Sequence, residues 1–573
     1  MRYLALACDY DGTLARRGAV AESVLAALAR LRATGRKTIL LTGRRLGELL
    51  AILPRPDLFD RIIAENGAVL YRPVGREERW LAEPPPAAFV EHLQGMGVKP
   101  LSVGRVIVST SASHEHAVLD AIRDLQLELR IAFNKGAVMV LPPEIGKATG
   151  LRAALRELGM STHEVVGIGD AENDHSFLAQ CECSAAVADA VPSLKARVDR
   201  VTRGENGSGL IEIIDGLVSD DLRHLDAHLT RRHVLVGTSD DGAGEEVRIP
   251  PYGLNVLVAG PSGAGKTTLA MALLEQLAEQ FYQYCIVDPE GDYTRFAESI
   301  ALGDANRPPS IAEALHVLEN PDTNVSVNLL GISLADRPAF LELFFPRLQA
   351  MRAHTGRPHW IVVDEAHHLW PAAWGPVSLT FPQEAGELLL VTLHPDELSP
   401  AILSCIDVVI AVGTIPESVL LGFAAAVGEP PPPMPAPASP GSVIVWHRRA
   451  GAAPRWVRPA RGRTEHLRHV RKYAEGNLGA DKSFYFRGPE GKLNLRARNL
   501  LLFVEIAEGV DDPTWLHHLE RGDYSAWFRD AIKDEALSAT AGAIEGRADL
   551  SPRDSRALIR DAIAARYTLP ARP

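Results

Sequence analysis

Short runs rich in Val, Ile and Leu alternate with amphipathic helical stretches along most of this chain. In residues 1–218 the runs include LALACDY, KTILLTG, RIIAENG and EVVGIGD. A second series lies in residues 233–450 and includes NVLVAG, YCIVDPE, HWIVVDE, ELLLVTLH and DVVIAVG. Buried parallel strands have this continuous apolar pattern, and the helices between them cover the faces of the sheet. The sequence therefore predicts an α/β protein with two sheet domains, joined by a polar connector at residues 219–232.

Length and composition limit the class of protein. The chain has 573 residues, too many for one hydrophobic core, and we expect three or four domains. Its net charge of −12 argues against a general coat of nucleic acid, although a local basic patch is compatible with it. The five cysteines are few and scattered, which favours a reducing compartment. The sequence contains neither a secretory signal nor an apolar stretch of about 18 residues that could cross a membrane. We therefore expect a cytoplasmic protein with no membrane partner.

Polar residues that suit phosphate chemistry follow several apolar runs of the first part. Asp9 and Asp11 end the first run, and at the carboxyl end of a strand both carboxylates can reach one point. One carboxylate can then attack phosphorus while the other transfers a proton. Later positions add a hydroxyl, a cation and groups that can bind a metal ion: Thr42, Lys147, Asp170, Asn173 and Asp174.

This set of residues, in this order, resembles the haloacid dehalogenase superfamily, and within it the Cof-like (class IIB) sugar-phosphate phosphatases. The resemblance implies a Rossmann-like domain over residues 1–218, with a small α+β cap at about 84–145 that selects the substrate. It implies that Asp9 is the nucleophile that forms an aspartyl-phosphate and that Asp11 is the general acid/base. The other roles that it implies are phosphate contacts from Thr42 and Lys147, Mg2+ ligands from Asp9, the backbone carbonyl of Asp11, Asp170 and Asp174, and substrate contacts from Gly43, Arg44 and Asn66.

The second block carries a glycine-rich loop between a predicted strand and a predicted helix. GPSGAGKT has the spacing G-x-x-x-x-G-K-T, in which backbone N–H groups surround phosphates, the lysine reaches the β and γ oxygens and the hydroxyl coordinates Mg2+. The dipole of the following helix also favours a bound anion. The predicted ATP-binding residues are Gly260, Ser262, Gly263, Gly265, Lys266, Thr267 and Thr268, with Thr267 as the metal ligand.

A second motif of this block, HWIVVDEAHHL, predicts the kind of nucleotide chemistry. Its apolar strand ends at Asp364, which is placed to organise the magnesium ion, and Glu365 follows directly. A carboxylate beside the metal ligand can orient and deprotonate water, whereas a kinase must keep water away. Glu365 therefore favours ATP hydrolysis over transfer of phosphate to another acceptor.

The second block also resembles the HerA/FtsK-type ATPases. The resemblance rests on the lead-in HVLVGTSDDGAGEEVRIPPYGLNVLVAG, on IVDPEGDY and on LLLVTLH, where Thr392 and His394 stand at the position of a polar sensor. It implies ATP and Mg2+ as cofactors and a homo-oligomer, often a hexamer, in which a neighbouring subunit supplies an arginine finger. Three arginines lie in a suitable region, and each taken alone reads as a solvated surface residue: Arg347, Arg352 and Arg357.

Residues 460–573 differ in character from the two α/β blocks. Between positions 448 and 498, fourteen Lys and Arg stand against four Asp and Glu. Aromatic residues are interleaved with these charges, among them Tyr473, Phe484, Tyr485 and Phe486. Such a pattern suits the stacking and phosphate contacts of a nucleic-acid strand, or a compact domain with an aromatic core. We favour the compact domain and predict a small α+β or mostly helical fold.

Three hypotheses connect the two predicted sites. In the one we favour, residues 1–218 hydrolyse a small phosphorylated metabolite such as a sugar phosphate, and the ATPase domain regulates or assembles the enzyme. In the second, the chain is a nucleic-acid processing ATPase with end-phosphatase activity. The third is an enzyme like a polynucleotide kinase-phosphatase. A cap encloses small substrates, which argues against the second and third, and Glu365 argues against the third.

Overall fold

The computed structural model describes residues 1–134, 136–241, 244–294, 296–372, 386–435, 439–463, 478, 482–532, 534–547 and 549–566. The chain forms two units, Met1–Arg463 and Thr464–Pro573. The first unit contains two large α/β sheets and one small sheet, and the second is mainly helical. This is the mixed α/β fold class that the sequence predicts.

Strands and helices alternate through the first 220 residues. They are β1 (Ala5–Asp9), α1 (Glu22–Ala33), β2 (Lys37–Leu41), α2 (Leu46–Ile52), β3 (Arg61–Ala64), β4 (Val69–Arg72), β5 (Glu77–Trp80), α3 (Ala87–Gly95), β6 (Leu101–Val103), β7 (Val108–Ser111), α4 (Glu115–Asp124), β8 (Arg130–Asn134), β9 (Ala137–Leu141), α5 (Lys147–Leu158), β10 (Val165–Gly169), α6 (His175–Leu178), β11 (Cys183–Ala186), α7 (Pro192–Lys195), β12 (Arg200–Val201) and α8 (Asn206–Asp220).

The first sheet has β1 near its centre. Within the described residues its eight strands run in the order β12-β11-β10-β1-β2-β3-β4-β5. The strands from β12 to β3 are parallel, and β4 and β5 form an antiparallel edge. All five residues of β1 are buried, as their apolar character predicts for a strand covered on both faces. This order brings the carboxyl ends of β10, β1 and β2 to one edge of the sheet, where polar residues follow each strand.

A small cap is inserted between β5 and α5. Its four antiparallel strands have the order β6-β7-β9-β8. Apolar residues of α3 and α4 pack on strands β7 and β9 and give the cap a hydrophobic core of its own: Phe89, Leu93, Val98, Val108, Val118, Ala121, Val138 and Val140. The cap is therefore the small α+β element that the sequence predicts for this part of the chain.

A second alternating series follows. Its elements are β13 (Val234–Ser239), β14 (Glu246–Ile249), β15 (Asn255–Ala259), α9 (Lys266–Glu279), β16 (Tyr284–Asp288), β17 (Ile300–Leu302), α10 (Ile311–Leu318), β18 (Val325–Asn328), α11 (Arg337–Thr355), β19 (Trp360–Val363), β20 (Leu388–Thr392), α12 (Pro400–Leu403), β21 (Val408–Ala411), α13 (Pro416–Val427), β22 (Val443–His447) and β23 (Arg455–Pro459).

The second sheet is parallel over the half that contains β15 and antiparallel at the other edge. Its eleven strands within the described residues have the order β14-β13-β23-β22-β21-β15-β20-β19-β16-β18-β17. The strands from β21 to β17 are parallel, whereas β22, β23 and the hairpin of β13 and β14 are antiparallel. The sheet extends to Pro459, a little beyond residue 450, because β23 pairs with both β13 and β22. The glycine-rich loop connects β15, inside the parallel half, to α9.

A polar seam joins the two α/β sheets within the first unit. We use this name for Arg2, His163, Glu182 and Tyr282. The Glu182 carboxylate accepts hydrogen bonds from Tyr282 Oη and Arg2 Nη2, both at 2.7 Å, and lies 2.7 Å from His163 Nδ1. The His163 ring stacks on the Tyr282 ring with 3.7 Å between centroids, and its Nε2 lies 2.8 Å from the carbonyl oxygen of Gln280. The seam thus links residues that precede β10 and β11 to the end of α9.

The second unit has two short strands followed by helices. These elements are β24 (Phe484–Phe486), β25 (Leu495–Ala497), α14 (Leu500–Gly509), α15 (Asp512–Leu519), α16 (Asp523–Asp530), α17 (Glu535–Glu545) and α18 (Pro552–Arg566). The two strands pair antiparallel, and aromatic side chains dominate the core between them and the helices. Trp515 and Tyr524 stack there with 4.4 Å between ring centroids.

Candidate functional site

The first candidate site forms where three neighbouring parallel strands end. Asp9 is the last residue of β1, Thr42 follows β2, and Asp170 follows β10. β1 pairs with both β2 and β10, so the three positions lie side by side at the carboxyl edge of the sheet. All three side chains are buried, with Asp9 4 %, Thr42 1 % and Asp170 8 % exposed.

Three carboxylates and one ammonium group form the centre of this site. Asp9, Asp170 and Asp174 each present an oxygen within 4.8 Å of the others. Lys147 Nζ donates to Asp9 Oδ1 and, at 2.6 Å, to Asp174 Oδ1. The other oxygen of Asp174 accepts the backbone N–H groups of Asp170 and Ala171 at 2.9 and 3.0 Å, which fixes its orientation. The sequence predicted these four charged residues as parts of one site, and the structure brings them together.

Local structure explains why Lys147 points into the cluster. It is the first residue of α5, and the helix start is fixed because Gly146 N donates to Thr149 Oγ1 at 3.0 Å. A cation at a helix N-terminus is unfavourable with the helix dipole. The two buried carboxylates that Lys147 contacts compensate for this, so its position serves the site rather than the helix.

The electrostatics of the cluster are those of buried charges in contact. Burial raises the pKa of Asp9 well above its usual range, Asp174 and Asp170 raise it further, and Lys147 opposes them. Burial alone would lower the pKa of Lys147, but Asp174 and Asp9 outweigh it, and the pKa lies above its ordinary value. With all groups ionised, three negative charges face one positive charge. An excess of negative charge on hard oxygen ligands fits a divalent cation such as Mg2+.

Asp11 and Arg44 form a separate ion pair beside the cluster. Arg44 Nε and Nη2 donate to the two oxygens of Asp11 at 2.6 and 2.7 Å, and both side chains are about one-third exposed. Arg44 N also donates to Thr42 Oγ1 at 3.1 Å, and Gly43 lies half-buried between them in the turn after β2. The Asp11 side chain is thus oriented by Arg44, and the metal contact of its backbone carbonyl stays a prediction.

The turn between β3 and β4 contributes one residue that the sequence singled out and one that it missed. Asn66 is 3 % exposed, and its Oδ1 accepts from Asn173 Nδ2 at 3.3 Å, so these two predicted residues meet. Glu65 is 1 % exposed, and its carboxylate binds backbone N–H groups of the cap. An acidic residue next to Asn66 in the AENGA stretch could have pointed to a role for Glu65. Its partners, however, lie some 40 residues further along the chain, so the sequence did not reveal the contact.

The second candidate site surrounds the glycine-rich loop. Gly260, Gly263 and Gly265 have φ values of 157°, 78° and 94°, which favour glycine and let the loop turn tightly. Lys266 is 2 % exposed, and its Nζ donates to the carbonyl oxygen of Pro261 at 3.2 Å. The remaining predicted contacts are both exposed, one in the loop and one in the first turn of α9: Ser262 and Thr268.

The predicted magnesium ligands of the second site are in contact. Thr267 Oγ1 donates to Asp364 Oδ2 at 3.4 Å, and both residues are 1 % exposed. Glu365 follows with φ 42°, a left-handed conformation that is unusual for a residue with a side chain. Its carboxylate lies 3.6 Å from His367 Nδ1, and Thr392 Oγ1 lies 3.2 Å from the same nitrogen. Hence the sensor position is linked to the predicted catalytic glutamate through His367, whose pKa burial lowers to about 4.

The two candidate sensor residues of this block differ in their exposure to solvent. His394, the alternative sensor, is exposed, whereas Thr392 is fully buried at the end of β20.

Asp288 of the IVDPEGDY stretch accepts the backbone N–H groups of residues 291, 292 and 293 and so closes a turn. Burial, the nearby Asp292 and Asp364 raise the pKa of Asp288 to about 8.

The reading of the three arginines as solvated surface residues is wrong for two of them. Arg347 is exposed, as expected. Arg357 is 1 % exposed and donates to the carbonyl oxygen of Gly159 at 2.6 Å and to Gln283 Oε1 at 3.0 Å. Arg352 is half-buried and donates to the carbonyl oxygens of Pro358 and Gly386. A buried guanidinium needs acceptors for its N–H groups, and these carbonyl and amide oxygens supply them. Arg352 and Arg357 therefore have a structural role in holding loops of the two α/β domains.

The aromatic residues of the third region are mostly core residues. Phe484 and Phe486 are 6 % and 0 % exposed, and their rings lie 4.9 Å apart within the aromatic core of the second unit. Tyr485 is half-buried under Arg487, whose guanidinium lies 5.4 Å from the ring centroid. Tyr473 lies outside the described residues. Buried rings cannot stack on bases, so these strands favour the compact-domain interpretation.

Comparison with known proteins identifies both α/β domains. Residues 6–80 and 99–214 match the model of the haloacid dehalogenase-like hydrolase family, and residues 252–396 match an AAA domain. The chain is 29 % identical to phosphoglycolate phosphatase 2 of Saccharolobus solfataricus, over 37 % of this chain and 92 % of that protein. It is 29 % identical to a phosphoglycolate phosphatase of Methanothermobacter thermautotrophicus, over 37 % and 96 % of the two chains. It is 32 % identical to one of Aeropyrum pernix, over 36 % and 90 %.

The structure also bears on the membrane question. Within the part of the chain that it describes, none of the helices combines the length and the apolar character needed to cross a lipid bilayer.

Proposed function

This chain belongs to the haloacid dehalogenase-like hydrolases through its first α/β domain, and we propose that this domain hydrolyses a small phosphomonoester. The observation that carries the proposal is the buried meeting of Asp9, Asp170 and Asp174 with Lys147. Phosphoryl transfer depends mainly on positioning and on neutralising charge, and this cluster offers a nucleophile, a cation and metal ligands at one point.

The residues suit a two-step reaction. The Asp9 carboxylate attacks phosphorus and forms an aspartyl-phosphate as the bond between phosphorus and the leaving oxygen breaks, and Asp11 gives that oxygen a proton. Asp11 then takes a proton from the water that attacks the aspartyl-phosphate, which releases phosphate and regenerates Asp9. Thr42 and Lys147 hold the phosphoryl oxygens, and Arg44 orients Asp11. A Mg2+ ion held by Asp9, Asp170 and Asp174 would supply further positive charge against those oxygens.

The cap and the relatives suggest the substrate class. An α+β cap, whose loop contacts Glu65 directly before Asn66, favours a substrate small enough to be enclosed, as the resemblance to the Cof-like (class IIB) phosphatases implies. The sequence alone suggested a sugar phosphate or a similar metabolite. Three relatives carry the name phosphoglycolate phosphatase, which supports a small phosphorylated acid as the first substrate to try. Either compound has a phosphate ester and polar groups that the predicted substrate contacts, Arg44 and Asn66, could bind.

For the second α/β domain we propose ATP binding and hydrolysis that regulate or assemble the phosphatase. Support comes from the Thr267–Asp364 contact and from Glu365, which lies directly after the metal ligand, where it can act on water. A HerA/FtsK-type assembly, with a hexamer as its usual form, is the expected partner state. Nucleic-acid processing is the alternative function. The phosphate-release screen described next distinguishes it from hydrolysis of a small metabolite.

The test is a phosphate-release screen of the full chain with Mg2+. The substrates are phosphoglycolate, sugar phosphates, nucleotides and 3′- or 5′-phosphorylated oligonucleotides, each with and without ATP. We expect cleavage of a small phosphomonoester, loss of that activity in Asp9→Asn with ATP hydrolysis intact, and loss of ATP binding in Lys266→Ala. Release from oligonucleotide ends, together with stimulation of ATP hydrolysis by DNA, would contradict the metabolite phosphatase. A phosphatase rate in Lys266→Ala that matches the wild type at every ATP concentration would remove the regulatory role.

A further inference from the structure

The turn Glu65–Asn66–Gly67 has an unusual backbone at a buried place. Glu65 and Asn66 have φ values of 52° and 54°, in the left-handed region that residues with side chains avoid. Residues in this conformation store backbone strain and persist only where their surroundings require it. Both side chains are almost fully buried, so the requirement comes from what they contact.

Glu65 contacts the cap through three consecutive backbone groups. Its carboxylate accepts the N–H groups of Arg105 at 2.8 Å, Val106 at 2.9 Å and Ile107 at 3.2 Å. These residues belong to the hairpin loop that joins β6 to β7. A Cβ atom on Gly104 of the same loop would lie 2.5 Å from Glu65 Oε2, so the loop approaches the carboxylate as closely as only glycine permits.

The same loop is anchored in the phosphatase core and not in the cap. Val106 and Ile107 are 1 % and 2 % exposed, and they pack in the hydrophobic core of the first sheet. Val108, the next residue, packs in the core of the cap. The loop is therefore a point at which the cap is attached to the catalytic domain in addition to its two chain connections.

The other two residues of the turn face the catalytic cluster. Asn66 Oδ1 accepts from Asn173 Nδ2, one residue before Asp174. A Cβ atom on Gly67 would lie 2.0 Å from the carbonyl oxygen of Gly146 and 3.0 Å from Lys147 N. One three-residue turn thus binds the cap loop on one side and abuts the start of the lysine helix on the other.

We propose that Glu65 is a positioning residue that holds the cap loop, residues 104–107, against the catalytic domain and so sets the closed form of the active site. The proposal rests on the proposed phosphatase function. Glu65 does not touch the reacting atoms and acts through the cap loop and through Asn66. Substrate is held by the closed cap, so loss of the carboxylate raises KM more than it lowers kcat.

The first measurement is hydrogen exchange of the full chain, which needs no enzymatic activity. In Glu65→Ala the amides of residues 105–107 should exchange at least about 100-fold faster than in the wild type, because hydrogen bonds to a charged acceptor are lost. Glu65→Gln keeps one acceptor oxygen and should lie between the two. Glu78→Gln is the control, since Glu78 contacts the side chain of Arg105 at 3.4 Å and should leave the exchange of these amides unchanged.

The second measurement is steady-state kinetics with the best small phosphomonoester. We expect KM to rise about tenfold or more in Glu65→Ala with a smaller change in kcat, partial rescue in Glu65→Gln and wild-type constants in Glu78→Gln. Unchanged exchange at residues 105–107 in Glu65→Ala and Glu65→Gln would overturn the proposal, and so would faster exchange with KM and kcat unaltered. If no phosphomonoester is cleaved by the wild type, the proposed function fails, while the exchange result still decides whether Glu65 holds the loop.

Discussion

Lys147 lies between two buried carboxylates, and this contact determines how the first site responds to a cation. Asp9 and Asp174 share its ammonium group, and Asp170 completes the group of oxygens within 4.8 Å. Buried charges are tolerated only when they are paired or bind a metal ion. Lys147 neutralises one of the three negative charges, and a divalent cation would neutralise the other two.

Replacing this lysine should therefore separate its catalytic role from its electrostatic role. We expect Lys147→Gln to lower phosphatase kcat by about 10²–10³, since a charge aimed at the phosphoryl oxygens is lost. We also expect Mg2+ to raise the Tm of Lys147→Gln more than that of the wild type, because the metal ion then meets one more uncompensated negative charge. Thermal melting with 0 to millimolar Mg2+ measures the effect.

Asp170→Asn is the matched control for this titration. It removes one carboxylate and keeps Lys147, so its Tm should respond to Mg2+ less than that of the wild type. An equal response of all three proteins would mean that Mg2+ does not bind at this cluster.

Sequence spacing predicted the catalytic cluster because Asp9, Thr42 and Asp170 end adjacent parallel strands, and such ends meet at one edge of a sheet. It did not predict that Glu65 binds residues 105–107, since that contact depends on where the cap lies. Arg357 was misread for a similar reason. An arginine after a helix usually faces solvent, but here its acceptors come from Gly159 and Gln283, in distant parts of the chain. Long-range polar contacts of this kind have no local signature.

At the scale of elements, the β3–β4 turn and the start of α5 are packed backbone to backbone. Gly67 has φ 108° and abuts Gly146, so neither its conformation nor the available space admits a side chain. Gly150, one turn into the helix, has the same turn as a neighbour, because its Cβ would lie 2.9 Å from Gly67 Cα. The close approach of these glycines places Lys147 beside Asp9.

A pair of glycine substitutions tests this packing. Gly67→Ala should lower the free energy of unfolding by about 2–4 kcal/mol and reduce phosphatase activity, because α5 must move away from the turn. Gly47→Ala is the control, since a Cβ at this position in α2 meets nothing within 4 Å, and alanine should stabilise the helix by up to about 1 kcal/mol. Melting curves and phosphatase rates of both variants show whether the close packing at Gly67 supports stability and activity. A stable, fully active Gly67→Ala would contradict the argument.

At the scale of the whole first unit, the contacts between the two α/β domains lie at the starts of strands, and the sites lie at their ends. Glu164 directly precedes β10 and lies 2.7 Å from His359 Nε2, directly before β19. Asp170 and Asp364 follow the same two strands. A strand of five residues spans about 16 Å, so each site is about one strand length from the contact. The strands and the polar seam therefore offer one route by which the two sites could be coupled.

Glu182 is the residue that the other three members of the polar seam contact. Burial alone would raise its pKa, but the hydrogen bond from His163 and the charges of His163, Arg2 and Arg232 hold the pKa far below its ordinary value. A group whose pKa is lower in the folded protein contributes stability above its unfolded pKa, and this stability is lost as the pH falls towards the folded pKa. For a glutamate the unfolded pKa is about 4.3.

Glu182→Gln should consequently lower thermal stability by the equivalent of about 3 kcal/mol at neutral pH, because Arg2 and His163 lose the buried carboxylate that they share and Arg2 keeps only Asp226 as a charged partner. The difference in Tm between wild type and Glu182→Gln should be present at pH 5 and shrink below about pH 4, where the wild type begins to lose the same interaction. Glu246→Gln is the control, since Glu246 forms an exposed ion pair with Arg248 and should change Tm little at any pH. A difference that stays constant or widens below pH 4 would mean that the charge of Glu182 does not stabilise the seam.

If the seam also carries the regulation by ATP, the phosphatase rate of Glu182→Gln should no longer respond to ATP, while both sites remain active.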